Sequence, residues 1–302
     1  MSEHFADRLL EAIAHKGSPV CVGIDPDFDR LPQELCSGID PGDPRARLQA
    51  ITTFCHAVID VVAPIVPAVK PQVAYFEVFG AAGMELYFDV VRRARDAGLL
   101  VIGDVKRGDI GSTAAAYAKA HLTGPSAADA VTVNTYLGAD GIEPFATVAR
   151  QTGRGLFALV RTSNPGGAVI QDFANANGDK LYQHVARQVA QLGAVEGRLG
   201  DCGLSLAGAV VGATYPDEAR QLRNLMPQQI FLVPGYGAQG ASAADCAASF
   251  KPDGTGAIVN ASRSVLYPHS REEYAARPWK DAVAAAAEAF AADIASALPN
   301  RP

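Results

Sequence analysis

The sequence has few cysteines and histidines, and neither type is spaced as in common metal sites. Its five cysteines are odd in number, scattered along 302 residues and never arranged as CxxC. They therefore favour small buried side chains in a reducing compartment over a disulfide framework or a zinc site. The six histidines form no HxxxH or HxH pair, so we expect no bound metal.

The sequence also lacks a large excess of charge of one sign. It carries 26 basic and 32 acidic residues, a net charge of −6, and no long run of Lys and Arg. Such a chain is a poor candidate for binding nucleic acid or a membrane surface, and a small soluble partner is the better expectation. The N-terminal 17 residues contain neither a signal-peptide apolar core nor a membrane span, which predicts a cytoplasmic protein.

Short apolar runs alternate with longer segments of helical spacing throughout the chain. The predicted strands are Pro19–Ile24, Ala68–Val73, Leu99–Asp104, Ala130–Asn134, Gly155–Val160, Ala207–Gly212, Gln229–Val233 and Gly256–Asn260. The predicted helices between and after them are Arg45–Ile65, Phe76–Ala97, Thr113–His121, Gly141–Gln151, Leu181–Leu192, Pro216–Leu225, Ala241–Phe250 and Arg271–Ala297. Eight strand–helix units predict an α/β fold, a (β/α)₈ TIM barrel with an extra N-terminal helix. We expect one domain over residues 1–302. A doubly wound open sheet is the alternative, but no GxGxxG motif follows the first strand.

Charged residues lie at the ends of three consecutive predicted strands. Asp104 and Lys106 are two residues apart, so they project to the same side of an extended segment. Asp25 follows the first strand and Lys70 lies near the end of the second. A solvated loop of ion pairs is the simpler interpretation of any one of them. Because the ends of parallel barrel strands meet at one mouth, the cluster favours a catalytic site.

Two glycine- or arginine-containing loops follow the seventh and eighth predicted strands. The first runs Val-Pro-Gly-Tyr-Gly-Ala-Gln-Gly, where Gly237 permits an unusual backbone path and Gln239 adds a donor. The second supplies Arg263, whose planar guanidinium matches phosphate oxygens. Barrels often bind phosphate with these two loops, so we predict a phosphate site there.

Several segments together resemble the orotidine 5'-phosphate decarboxylase family. DVKRGDIGST matches its Asp-x-Lys-x-x-Asp-Ile-x-x-Thr signature, and GIDPD, VKPQVAYFE, VRTSNPGG, VPGYGAQG and VNASRS resemble its longer bacterial subgroup. The resemblance runs from about Pro19 to Tyr267. It implies cofactor-independent decarboxylation of orotidine 5'-phosphate to UMP and CO₂, the last step of de novo UMP biosynthesis.

The resemblance also implies roles for individual residues. Lys106 would protonate the carbanion left at C6 of the pyrimidine, and Asp104 would lie beside the substrate carboxylate. Lys70 would orient the charged network and contact the ribose, whose hydroxyls Asp25 would bind.

Three further roles follow from the same resemblance. Asp109 and Thr113 would reach the neighbouring subunit's site, in a homodimer with shared active sites. Ser163 would contact the amide edge of the pyrimidine. Thr162 and Asn164 are competing candidates for this contact. The alternative is that the segment forms only a turn, because Ser-Asn-Pro-Gly is a turn sequence in its own right.

Other functions remain open at the level of sequence. A Mg²⁺-dependent sugar-phosphate decarboxylase of the same superfamily shares the Asp-x-Lys-x-x-Asp strand, but it places a metal-binding glutamate where this chain has Lys70. A non-catalytic nucleotide-binding barrel is less consistent with the intact set of charged residues. A Schiff-base aldolase is disfavoured because the carboxylates around Lys106 stabilise its charged form.

Overall fold

A computed structural model describes residues 3–237 and 240–299. Eight parallel strands form a closed barrel in sequence order, and β1 pairs with both β2 and β8. The strands are β1 Val20–Ile24, β2 Ala68–Pro71, β3 Leu100–Arg107, β4 Ala130–Val133, β5 Gly155–Arg161, β6 Ala207–Val211, β7 Phe231–Pro234 and β8 Ala257–Ala261. The predicted (β/α)₈ barrel is therefore confirmed.

Helices follow the strands and cover the outside of the barrel. They are α1 Phe5–Lys16, α2 Gln33–Cys36, α3 Pro44–Val62, α4 Ala74–Glu77, α5 Gly80–Asp96, α6 Gly111–Leu122, α7 Ala139–Thr152, α8 Ala168–Gln171, α9 Leu181–Gly193, α10 Pro216–Leu225, α11 Ala243–Ala247, α12 Arg263–Leu266 and α13 Trp279–Ala297. The longer helices bury apolar stripes, such as Ile51, Phe54 and Val58 of α3, against the strands.

Three of the differences between the structure and the predicted elements concern β3 and two of the longer helices. Strand β3 continues past Asp104 to Arg107, so that Lys106 belongs to the strand. The predicted helix Phe76–Ala97 is divided into α4 and α5 at Gly80, whose φ of 62° is left-handed. The predicted helix Arg271–Ala297 begins only at Trp279, because Pro278 favours an extended backbone before it and serves as the N-cap.

The additional N-terminal helix closes one end of the barrel. Phe5 of α1 is 1% exposed and packs edge-on against Phe157, with ring centroids 5.9 Å apart. A Cβ at Gly155, the first residue of β5, would lie 2.2 Å from the Phe5 ring. Glycine at that position therefore allows α1 to cover the N-terminal ends of the strands, and a cavity lies at their C-terminal ends.

Candidate active site

A charged network lies at the C-terminal ends of β2, β3 and β4, with Asp104 at its centre. Lys70 Nζ donates to Asp104 Oδ2 at 2.6 Å, and Lys106 Nζ donates to Asp104 Oδ1 at 2.5 Å. Gln72 Nε2 donates to Oδ2 at 3.0 Å, and Thr132 Oγ1 donates to Oδ1 at 2.9 Å. Each carboxylate oxygen thus accepts two hydrogen bonds, which fixes the carboxylate in one orientation.

Burial and charge act in opposite directions on this network. Asp104 is 6% and Lys70 5% exposed. Burial alone would raise the pKa of Asp104, but the charges of Lys70 and Lys106 outweigh it and hold that pKa well below its usual range. Burial alone would lower the pKa of Lys70, whereas Asp104 and Asp25 raise it above its usual range. Both groups are therefore ionised at neutral pH.

Lys106 differs from the other members in backbone and exposure. Its φ of 43° makes it the one residue other than glycine with a positive φ in the ranges 3–237 and 240–299. Its backbone N–H donates to Thr132 Oγ1 at 2.9 Å, which helps to hold this unfavourable conformation. The side chain is 47% exposed. Its ammonium is therefore oriented by Asp104 and remains accessible from the cavity.

The network lines a cavity of about 440 Å³. Two side-chain oxygens at the C-terminal ends of the first and last strands have no hydrogen-bond partner there. Asp25 Oδ1, after β1, and Asn260 Oδ1, in β8, are both buried and unpaired. Because an unpaired buried acceptor is unfavourable, these oxygens are suited to donors on a ligand such as hydroxyl groups.

The loops after β7 and β8 form another side of the cavity. Gly235, Tyr236 and Arg263 line it. Gly237, with a φ of 66°, belongs to the same loop but is not among the lining residues. Gln239 lies outside the described residues. Of the two loops predicted to bind phosphate, Gly235 and Arg263 therefore line the cavity, and Gly237 is two residues beyond Gly235 in the chain.

The loop after β5 contributes Thr162, Ser163 and Asn164 to the cavity. Thr162 Oγ1 donates to Asn164 Oδ1 at 2.6 Å. A Cβ at Gly212, after β6, would lie 2.9 Å from Ser163 Cα, so the loop backbone lies close against that glycine. The mutual hydrogen bond of Thr162 and Asn164 favours Ser163 as the residue that contacts a ligand.

Asp109 and Thr113 do not line the cavity of their own chain. Asp109 is half-buried, and its Oδ1 accepts a hydrogen bond from the Ile110 N–H at 2.8 Å. Thr113 is exposed in the first turn of α6. The structure therefore separates them from Lys70, Asp104 and Lys106.

Sequence analysis missed Gln72, Thr132 and Asn260. Gln72 follows Lys70 by two residues, and Thr132 follows the buried Ala130 of β4 by two residues. A spacing of two places such residues on one face of a strand, so the alternation alone could have indicated them. Asn260 lay at the end of a predicted strand, but its missing hydrogen bond is visible only in the fold.

Residues 3–237 and 240–299 contain neither a candidate metal site nor a membrane-spanning helix. Within these ranges, His, Cys, Asp and Glu side chains form no group of three or more that could hold a metal ion. No helix there is both long enough and apolar enough to span a membrane.

Comparison with known proteins decides the family. The profile described as "Orotidine 5'-phosphate decarboxylase / HUMPS family" matches residues 18–277. The chain belongs to this family. An orotidine 5'-phosphate decarboxylase from Rhodopirellula baltica is 46% identical over 292 residues, covering 93% of this chain and 96% of the relative. One from Deinococcus radiodurans is 42% identical, with 92% and 94% covered.

A solved structure of the same family agrees with the fold. The Leishmania donovani OMP decarboxylase superposes with a TM-score of 0.75 at 29% identity, covering 97% of this chain and 98% of the other. The resemblance inferred from the sequence motifs is therefore confirmed.

Proposed function

We propose that the chain decarboxylates orotidine 5'-phosphate to UMP and CO₂, the last step of de novo UMP synthesis. The observation that carries this proposal is the Lys70–Asp104–Lys106 network, which orients one accessible ammonium at the mouth of a barrel. Membership of the family, which includes a relative of that name at 46% identity, supports the same reaction.

In the reaction, the bond between C6 and the carboxyl carbon breaks and its electron pair remains on C6. The Lys106 ammonium stabilises this charge and then donates a proton from Nζ to C6, while CO₂ leaves. The resulting neutral amine recovers its proton from solvent. Asp104 stays ionised, because its pKa is held low, and keeps the Lys106 ammonium in place before the substrate enters.

The remaining cavity residues bind the rest of the substrate. Asp25 and Lys70 form hydrogen bonds with the ribose hydroxyls. The unpaired Asp25 Oδ1 supports this role for Asp25. Ser163 contacts the pyrimidine amide. The phosphate lies against Arg263 and the loop that contains Gly237 and Gln239. Phosphate binding far from C6 supplies binding energy that helps to order the site around the reacting carbon.

We also infer a homodimer in which Asp109 and Thr113 enter the partner's active site. Exposed apolar side chains lie on the loops and helices after β3 and β4, and Asp109 and Thr113 belong to the segment after β3. Ile110 is 56%, Tyr117 37%, Tyr136 80% and Leu137 47% exposed. Clustered exposed apolar groups are typical of surfaces that pack against another chain.

We also propose the cytoplasmic location that the sequence predicts. None of the five cysteines forms a disulfide, as is usual for proteins of a reducing compartment: Cys21, Cys36, Cys55, Cys202 and Cys246.

The direct test is turnover of purified protein with orotidine 5'-phosphate, followed by loss of pyrimidine absorbance and release of CO₂. We expect full activity in the presence of EDTA. Activity that EDTA abolishes would favour the Mg²⁺-dependent sugar-phosphate enzyme, and tight UMP binding without turnover would favour a non-catalytic nucleotide-binding barrel.

Subunit complementation tests the shared site. Lys106→Ala and Asp109→Ala proteins are each expected to be inactive. After unfolding and refolding together, mixed dimers would contain one site with both residues intact, restoring about a quarter of wild-type activity on statistical mixing. A mixture that stays inactive although mixed dimers form would place Asp109 in its own subunit's site.

A further inference from the structure

The end of β5 carries a buried guanidinium that the proposed chemistry does not use. Arg161 is 1% exposed. Its Nε donates to Glu218 Oε2 at 2.6 Å, and its Nη1 lies 3.0 Å from Asp172 Oδ1. The rings of Tyr215 and Tyr182 lie with their centroids 4.1 Å and 5.1 Å from its Cζ. Since a buried charge is unfavourable unless it is paired, Arg161 ties these residues into one assembly.

An irregularity in β5 directs Arg161 towards these partners. Leu159 pairs with Val210, but Arg161 pairs with the next residue, Val211, so one residue of β5 is unmatched. Leu159 lines the cavity, and strict alternation would turn Arg161 into the barrel as well. The irregularity instead takes the side chain to Glu218, in the first turn of α10.

Hydrogen bonds lead from Arg161 into the loop that lines the cavity. Gln171 Oε1 accepts from Arg161 Nη1 at 3.4 Å and from the Thr162 N–H at 3.1 Å. Gln171 Nε2 donates to Thr162 Oγ1 at 2.7 Å, and Thr162 Oγ1 donates to Asn164 Oδ1 at 2.6 Å. Ser163 is thus held from both sides, although it makes none of these bonds itself.

We propose that Arg161 and Gln171 are positioning residues for the loop over residues 162–164 that contacts the pyrimidine. This inference rests on the proposed function, because it takes Ser163 to contact the base. Neither residue touches the ligand. They fix the loop before binding, so that less conformational entropy is lost when the pyrimidine is bound.

The test compares a ligand that has the base with one that lacks it. Gln171→Ala removes the link to Thr162 and leaves the Arg161–Glu218 pair intact. We expect the affinity for UMP, measured by calorimetry, to fall about tenfold, the effect of losing about 1.4 kcal/mol. The affinity for ribose 5-phosphate should stay within about twofold, since the phosphate loops are unaltered. Gln188→Ala, in α9 and bonded only to His184 among the described side chains, is the matched control and should change neither affinity.

Other outcomes would overturn the inference. Equal weakening of UMP and ribose 5-phosphate would show a general structural role, and an unchanged UMP affinity would show that the loop does not depend on Gln171. Arg161→Met removes the centre of the assembly and should show the same selective loss if it folds. If wild-type protein binds UMP but does not turn over orotidine 5'-phosphate, the proposed function fails while the ligand comparison still tests the positioning role.

Discussion

Two regions of the molecule are built around a buried aspartate with several cations, yet their surroundings differ. Asp104 lies at the C-terminal ends of the strands and contacts two lysines, one of them 47% exposed. Asp129 lies just before β4, at the opposite end of the barrel, and is 2% exposed. Arg8, Arg95 and Arg154 approach its carboxylate to 2.8, 3.8 and 3.6 Å.

The difference is in what the cations do besides pairing with the aspartate. Arg8 also donates to the Gly153 carbonyl at 3.2 Å, and Arg154 donates to the Ala128 carbonyl at 2.5 Å. Asp129 Oδ2 itself accepts the Val101 N–H at 3.0 Å. Those arginines connect chain segments. By contrast, the Lys106 ammonium faces an open cavity. A buried ion cluster can therefore serve as a reaction site when one of its charged groups is accessible from such a cavity.

Replacement of Lys106 tests the open cluster, which is Lys70, Asp104 and Lys106, and should have the largest effect. Lys106→Ala removes the proton donor and the charge that stabilises the carbanion, so we expect kcat to fall by several orders of magnitude. The free energy of unfolding should change by less than about 1 kcal/mol, because the side chain is half exposed. Steady-state assays and urea denaturation measure the two quantities, with the exposed Lys119→Ala as control. A folded Lys106→Ala protein with near-normal turnover would exclude the proposed mechanism.

Replacement of Asp129 should give the opposite pattern. Asp129→Asn leaves three guanidinium groups around a neutral side chain, and breaking such a buried cluster typically costs about 3–5 kcal/mol. Turnover by the folded fraction should stay close to wild type, because the cluster lies at the other end of the barrel. Asp96→Asn is the control, because Asp96 is exposed and lines a surface cleft that Asp129 also lines. Loss of kcat without loss of stability would mean that the two regions are coupled.

The sequence allowed the open cluster to be predicted because it depends on local rules. Asp104 and Lys106 are two apart at the end of an apolar run, and Lys70 lies near the end of the preceding strand, so barrel topology alone brings them together. The same rules separate Asp129, which precedes its strand and therefore belongs to the other end. The barrel and the family were predicted from alternation and motifs in the same way.

The rest depends on contacts that no local rule contains. Arg161 directly follows the predicted strand Gly155–Val160, but its burial depends on the irregular register of β5 and on Glu218, 57 positions further along the chain. The left-handed backbone of Lys106 likewise depends on Thr132, a partner in the neighbouring strand. Such features arise from strand register and packing, which periodicity does not encode.

Replacement of Arg263 tests an exposed cation at the cavity edge and should have an intermediate effect. We expect Arg263→Ala to raise KM for orotidine 5'-phosphate about a hundredfold, because charge-assisted hydrogen bonds to the phosphate are lost. Stability should hardly change. Arg187→Ala is the control, because Arg187 of α9 forms a half-exposed ion pair with Asp179. An unchanged KM would remove Arg263 from the phosphate site.

A change of pH tests whether the open cluster is fixed in charge, and here the expected effect is smallest. The lowered pKa of Asp104 and the raised pKa of Lys70 keep both ionised near neutrality, so they should not make stability vary there. His121 of α6 should, since burial lowers its pKa from 6.5 to about 4. The unfolded chain binds this proton first as pH falls from 6.5 towards 4, so unfolding free energy should decrease by on the order of 2 kcal/mol. Denaturation at several pH values measures this slope, and His121→Gln should reduce it. An undiminished slope in His121→Gln would show that His121 is not its source and that other groups, such as His269, whose pKa burial also lowers, titrate in this range.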